Sequence, residues 1–169
     1  MGKNRYGKSL SILIKLVWEK ERKNMRYFLL SAGIFAMETL IKKKREEAKD
    51  TKEYAGGNVQ ITTYHNYGAF LNSGEKRPLI VKAVSVLLTV FLSALFLLTF
   101  TKYGNKQLRL GLAFLLGGAY SNTYDRIRRG YVVDYLMFPK APGKIKTIVF
   151  NISDFCIAIG ACLIVIKQK

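Results

Sequence analysis

The chain has 169 residues, half of them hydrophobic, and a formal net charge of +17 at pH 7. This length fits one domain, and so large a charge beside so high an apolar content is unusual for a water-soluble domain. A nucleic-acid-binding protein would explain the charge, but the basic residues are spread over every loop instead of forming one patch. The segregation of apolar runs from charged loops therefore favours a membrane protein.

Residues 1–25 form a basic arm with a short apolar patch at Leu10–Trp18, flanked on both sides by charge. A cleavable signal peptide would need a longer apolar region, so we interpret the arm as an interfacial amphipathic helix. We expect its cations to contact anionic lipid headgroups, as a unit distinct from residues 26–169. The apolar face consists of Leu10, Ile12, Leu13, Leu16 and Val17, and the charged face of Lys15, Glu19, Lys20 and Arg22.

Four apolar runs follow, at Tyr27–Ile41, Leu79–Phe100, Leu108–Tyr124 and Thr147–Ile166. The second and fourth have about 20 residues, enough to cross the hydrocarbon core of a bilayer, and the other two are shorter. We predict an all-α membrane protein built as a four-transmembrane-helix bundle, with both termini on one side. The basic block at Lys20–Arg26 places that side in the cytoplasm, although lysine and arginine are shared almost equally between the two sides.

The loop over residues 43–78 connects the first two spans. It starts with a charged stretch, after which apolar and polar residues alternate over Val59–Tyr64, the period expected of a half-buried strand. The pattern predicts a small extracytoplasmic β-sheet on the outer membrane surface. His65 is interpreted as a surface or packing residue, because no second histidine or cysteine lies nearby to share a metal ion. The two cysteines, Cys156 and Cys162, are expected to be small buried hydrophobic residues.

Two carboxylates, Asp134 and Asp154, stand among apolar and aromatic residues without an adjacent cation. Ionisable groups at membrane depth are costly, and a functional site is the first hypothesis for them. Two carboxylates in a poorly solvated site share one proton, so one can activate water while the other protonates the reacting group. This is the chemistry of aspartic proteases, which needs no metal or cofactor. The sequence has no HExxH or GxSxG motif that would indicate another hydrolase.

Further polar residues share helical faces, three with one another at the end of the third predicted span and one with Asp154 on the fourth. Asn122, Asp125 and Arg126 are spaced i, i+3 and i+4, and Asn151 precedes Asp154 by three residues. A purely structural network that ties helices together is the alternative, and it is strongest for Asp125, which Arg126 follows directly.

The segments that carry these residues, GGAYSNTYDRIRRGYVVDY and FNISD, resemble the two signature segments of signal peptidase II, the lipoprotein signal peptidase. That family's pattern is approximately GGAxGNxxDRxxxGxVxDF followed by FNxAD. HNYGAF is similar to the family's NxGAAF, and METLIK is weakly similar to its DQxxK. The resemblance extends from about Arg26 to the end of the chain.

The resemblance implies cleavage of bacterial diacylglyceryl prolipoproteins just before the lipidated cysteine, by a multi-pass enzyme of the cytoplasmic membrane. It places the catalytic pair at Asp134 and Asp154. The supporting and substrate-contacting positions that it implies are Asn66, Gly68, Ala69, Asn122, Asp125, Arg126 and Asn151.

Several residues depart from the family pattern. Glu38 stands for its aspartate, Thr39 for its glutamine, Ser121 for a glycine and Ser153 for an alanine. Because Glu38 and Lys42 share a helical face, we expect Glu38 to position other groups rather than transfer protons. The departures motivate one alternative, a catalytically silent or retuned paralogue that binds lipidated peptides without cleaving them. A proton-relaying transporter is a further alternative, but no internal repeat or broken helix pair supports it.

Overall fold

The computed structural model describes residues 3–48, 50–69, 74–101 and 105–166. Within these ranges the chain is mostly helical with one small antiparallel sheet, as the sequence predicts. The helices are α1, Lys3–Ala48; α2, Pro78–Leu98; α3, Lys106–Arg128; and α4, Ile152–Val165. The strands are β1, Lys52–Tyr54; β2, Val59–Asn66; β3, Val132–Met137; and β4, Val149–Phe150. Short 3₁₀ turns cover Ala55–Gly57 and Gly143–Thr147.

Helix α1 is one continuous helix of 46 residues, which contains both the basic arm and the first predicted span. The residues that join them, Glu19–Arg26, include no glycine or proline, and most are good helix formers. The arm is therefore not a separate helix, and the boundary predicted after residue 25 falls inside α1. The side chains of the predicted apolar face, Leu10, Ile12, Leu13, Leu16 and Val17, lie outside the described part of the structure, so lipid contact by the arm stays a prediction.

Helix α3 is the centre of the bundle and packs against the other three helices. Its contact with α4 requires residues without side chains. A Cβ on Gly118 would collide with the Ser153 carbonyl oxygen, and a Cβ on Gly160 would lie 2.5 Å from the Gly111 carbonyl oxygen. The first of these approaches brings the start of α4 directly against the polar half of α3.

Among the described helices, α2 is the one long and apolar enough to cross a membrane. Its outer side chains suit a lipid surface, since Leu87 and Phe91 remain 69% and 59% exposed in the isolated chain. Helix α4 is apolar but has only 14 residues. The number of membrane spans stays a prediction.

The sheet has the order β1-β2-β3-β4, and every neighbouring pair is antiparallel. Strands β1 and β2 come from the loop at residues 43–78, as predicted. Strands β3 and β4, which the sequence analysis does not predict, join them from the segment between α3 and α4. The predicted fourth span is therefore wrong at its start, because Phe150 pairs with Leu136 in the sheet and α4 begins only at Ile152.

Candidate active site

The sheet and the start of α4 bring the two predicted catalytic carboxylates to one place. Asp134 lies on β3 opposite Tyr64 of β2. Asp154 lies in the first turn of α4, and both aspartates line one cavity of about 440 Å³. A 3₁₀ turn and strand β4 lie between the two aspartates in sequence. Because β4 pairs with β3, the start of α4 that follows β4 lies close to Asp134.

Three asparagine side chains and one backbone amide hold the four carboxylate oxygens. For Asp134, Asn151 Nδ2 donates to Oδ1 at 2.6 Å and Asn66 Nδ2 donates to Oδ2 at 3.0 Å. For Asp154, Asn122 Nδ2 donates to Oδ1 and the Asn151 backbone N–H donates to Oδ2, each at 3.0 Å. Every oxygen of the pair thus has a fixed donor, which orients both carboxyl groups toward the cavity they share.

Asn151 connects the two aspartates and also starts α4. Its side-chain oxygen accepts from the Asp154 N–H at 3.0 Å, while Asp154 bonds back to the Asn151 N–H, so the two form a capping box. The Asn151 amide nitrogen is left free to reach Asp134 and, at 3.3 Å, Asn122 Oδ1. Local helix-capping chemistry therefore places Asp154, and the same residue fixes Asp134.

Burial and, secondly, the nearby Asp154 carboxylate raise the pKa of Asp134 to about 7. The Asn66 and Asn151 amides and the more distant Lys42 cation oppose this rise. A carboxyl with such a pKa retains a proton near neutral pH, as a site that alternates between acid and base requires.

Behind the aspartates, Lys42 is completely buried and bound on all sides. Its ammonium lies 3.0 Å from an Asp125 oxygen and 3.7 Å from a Glu38 oxygen. It also donates to Asn122 Oδ1 at 2.8 Å and to Ser121 Oγ at 3.0 Å. The predicted Glu38–Lys42 pair is present. Lys42 also contacts Asn122, and Asn122 in turn donates to Asp154.

Asp125 belongs to a network that ties elements of the fold together, as the structural alternative proposed, but its partner cations are not the neighbouring Arg126. Its partners are Lys42, Arg129 at 2.8 Å and the Val133 backbone N–H at 3.3 Å. On an α-helix successive residues point about 100° apart, whereas the i, i+4 neighbour Arg129 lies on the same face. Asp125 therefore anchors the start of β3 rather than contacting the aspartate pair.

Arg126 lines the cavity and holds the loop after β2. Its guanidinium donates to the Gly68 carbonyl oxygen at 2.9 Å, and the Gly68 N–H bonds to Asn66 Oδ1 at 3.0 Å. Ala69 also lines the cavity. The outer-loop residues Asn66, Gly68 and Ala69 are thus all brought to the site.

Sequence reasoning misses Tyr135 and Arg129, and it treats Ser121 and Ser153 only as departures from a pattern. Tyr135 follows Asp134 on a strand, so its side chain points to the opposite face, where it donates to Glu38. Successive side chains of a strand point to opposite faces, so a prediction of strand β3 would also have predicted that Tyr135 points away from the face of Asp134. The expectation that both cysteines are buried is wrong for Cys162, which is exposed, whereas Cys156 is buried.

Comparison with known proteins identifies the family of the chain. The family model described as signal peptidase (SPase) II matches residues 30–168. The lipoprotein signal peptidase of Enterococcus faecalis is 30% identical over 145 residues, which cover 83% of this chain and 85% of that protein. The lipoprotein signal peptidase of Alteromonas mediterranea is 39% identical over 112 residues, which cover 64% of this chain and 59% of that protein.

A solved structure titled "Bacterial membrane enzyme structure by the in meso method at 2.3 A resolution" has the same fold. Its TM-score is 0.69 at 22% identity, over 83% of this chain and 85% of that chain. The chain belongs to the signal peptidase II family and is a peptidase of lipoprotein processing. The resemblance inferred from the motifs is therefore confirmed.

Proposed function

We propose that this peptidase is an aspartic endopeptidase that removes signal peptides from diacylglyceryl prolipoproteins of bacteria, cutting just before the lipidated cysteine. Asp134 and Asp154 are its catalytic pair. The observation that carries the proposal is the placement of two carboxylates at one cavity, Asp134 buried and Asp154 partly buried, with a fixed donor on each oxygen.

The chemistry follows from one shared proton. The ionised carboxylate takes a proton from a water molecule as that water attacks the peptide carbonyl carbon. The protonated carboxyl donates a hydrogen bond to the developing oxyanion and then helps to protonate the leaving nitrogen. The asparagine donors keep both carboxyl groups oriented while the proton changes place, because an amide N–H can stay bonded to either form.

The cavity suits a lipidated substrate. Its polar end contains the aspartates, Asn66, Asn122 and Arg126, and three hydroxyl side chains also line it. Much of the remaining wall is formed by aliphatic side chains of α2, α3 and α4, among them Leu88, Leu92, Leu115, Ile157 and Ala161. A signal peptide is apolar and a diacylglyceryl group reaches the enzyme through the bilayer. We therefore place the polar end at the outer edge of a multi-pass membrane domain, with both termini in the cytoplasm.

Conservative substitutions test the catalytic pair. Asp134→Asn and Asp154→Asn keep size and polarity but cannot move the proton, so each should lower turnover at least about a hundredfold in a gel-shift assay with a purified diacylglyceryl prolipoprotein. Asp50→Asn is the matched control, since Asp50 is exposed in part and pairs with Arg45 and Lys52 away from the cavity. Either site variant retaining more than about a tenth of wild-type turnover would sink the assignment.

A further inference from the structure

Glu38 of α1 contacts the residue that follows Asp134 and the residue that precedes Asp154. The Tyr135 hydroxyl donates to Glu38 Oε1. The Ser153 backbone N–H and hydroxyl both donate to Glu38 Oε2, at 3.2 Å and 2.8 Å. One buried carboxylate therefore connects the strand that carries one aspartate to the helix that carries the other.

These contacts also determine where α4 starts. The first N–H groups of a helix have no partner within the helix. Here the Ile152 N–H donates to Tyr135 Oη at 3.4 Å, the Ser153 N–H to Glu38, and the Asp154 N–H to Asn151 Oδ1. A carboxylate at this end of a helix is favoured by the helix dipole. The position of Asp154 thus depends on Glu38 and Tyr135 as well as on its own cap.

The three side chains are shielded from solvent. Glu38 and Ser153 have no exposed surface, and Tyr135 is 3% exposed. Burial and the Glu38 carboxylate raise the pKa of Tyr135, so its hydroxyl stays protonated and donates. Removing one partner would leave buried donors or acceptors unsatisfied, which costs more than the loss of a solvated hydrogen bond.

Each of the three residues also differs from the family pattern given above, which has aspartate, phenylalanine and alanine at the positions of Glu38, Tyr135 and Ser153. Glutamate extends its carboxylate by one methylene, and tyrosine and serine each add a hydroxyl that donates to that carboxylate. The three differences therefore meet in one set of hydrogen bonds.

We propose that Tyr135 and Ser153 are positioning residues that act through Glu38 to set the separation of Asp134 and Asp154, an inference that rests on the proposed function. Neither residue touches the reacting atoms in this scheme. The hydrogen bond of each residue to Glu38 restricts the conformation of the segment next to one aspartate. Because both bonds end on the same carboxylate, Glu38 couples the positions of the two segments.

Double-mutant cycles on the full-length enzyme in detergent test this proposal. Ser153→Ala and Tyr135→Phe each remove a single oxygen atom, and Glu38→Gln removes the charge that both donors recognise. We expect each single-oxygen variant to lower kcat about tenfold with KM unchanged, and Glu38→Gln to lower it about a hundredfold, since small misplacements of reacting groups have effects of this order. In the Glu38→Gln background, Ser153→Ala and Tyr135→Phe should cause little further loss.

Ser93 and Tyr120 supply a matched control. They form a serine–tyrosine hydrogen bond of 2.6 Å between α2 and α3, remote from the aspartates. Ser93→Ala and Tyr120→Phe should leave kcat unchanged. Thermal unfolding of every variant measures stability separately from turnover. If Glu38→Gln does not fold, the cycles are run in the Glu38→Asp background, which keeps the carboxylate but shortens the side chain.

The outcomes separate this proposal from the proposed function. Cleavage that depends on Asp134, together with wild-type kcat in Ser153→Ala and Tyr135→Phe, would overturn the positioning role alone. The same conclusion would follow if Ser153→Ala and Tyr135→Phe lowered kcat by the same factor in the Glu38→Gln background as in the wild type. Such a result would show that these residues act independently of Glu38. Turnover that survives Asp134→Asn would instead overturn the assignment of Asp134 and Asp154 as the catalytic pair.

Discussion

Asn151 has two tasks, and two substitutions separate them. Its side-chain oxygen caps α4 by accepting from the Asp154 N–H, and its side-chain nitrogen donates to Asp134 at 2.6 Å. Serine caps helices about as well as asparagine, but its side chain is too short to reach Asp134 as well. Alanine can do neither. Asn151→Ser therefore removes the contacts of the side-chain nitrogen, with Asp134 and with Asn122, and Asn151→Ala removes these and the cap as well.

The structure sets the expected magnitudes. Loss of an N-cap costs about 1 kcal/mol. Loss of a hydrogen bond to a charged group costs about 1.5–3 kcal/mol, and the short distance and complete burial of Asn151 favour the upper part of that range. Both variants lose this second contribution. They should therefore differ from each other in stability by about 1 kcal/mol, or about 2–4 °C in Tm for a chain of this size.

Cleavage should respond differently from stability. Both variants leave Asp134 without the donor that orients its Oδ1, so both should lose about a hundredfold in kcat. Turnover of a purified diacylglyceryl prolipoprotein and thermal unfolding in the same detergent measure the two effects. Asn105 is the matched control, because it caps α3 in the same way, accepting from the Leu108 N–H at 2.7 Å, but lies at the opposite end of the bundle. Asn105→Ala should lower Tm and leave kcat unchanged.

Full turnover in Asn151→Ser would refute the reasoning. Such a result would mean that capping alone places the catalytic pair and that the contact with Asp134 has no catalytic consequence.

Two further predictions concern pH and the arm. Because activity needs one proton on the pair and the pKa of Asp134 is raised to about 7, kcat/KM should fall as pH rises through about 7 and that proton is lost; a rate that keeps rising well above neutral pH would contradict this. Deletion of residues 2–20 should leave turnover in detergent nearly intact and weaken binding to vesicles of anionic lipid relative to neutral lipid, measured by co-flotation. Complete loss of detergent activity in that truncation would mean that the arm packs on the catalytic bundle.

The sequence predicts which residues meet at the candidate site better than it predicts the scaffold that carries them. Asp134 and Asp154 stand out because a carboxylate in an apolar run needs a reason, and the i, i+3 spacing places Asn151 beside Asp154. Strand β3 escapes prediction because four of its six residues, Val132–Tyr135, are buried on both faces, so the alternation that marks a half-buried strand is missing. Strand β4 has two residues and cannot be told from the start of an apolar helix.

Long-range partners are the second part that sequence cannot supply. Asp125 has a cation next to it in sequence, yet it binds Lys42, which lies on another helix, and Arg129, the residue that caps the end of α3. Local spacing indicates which residues share a face but not which faces meet. The same limit conceals the contact of Glu38 with Ser153, two residues that sequence analysis singles out separately.

Charge balance around the aspartate pair favours the single shared proton of the proposed mechanism. The ionisable groups joined around it are the carboxylates of Glu38, Asp125, Asp134 and Asp154 and the cations of Lys42, Arg126 and Arg129. With all of them ionised, the cluster carries one excess negative charge in a place where an uncompensated charge is costly. One proton on the aspartate pair cancels that excess. One proton on the pair, the form that can act as acid and base together, therefore gives these seven groups zero formal charge, and we expect the nearby lysine and arginines to favour that form.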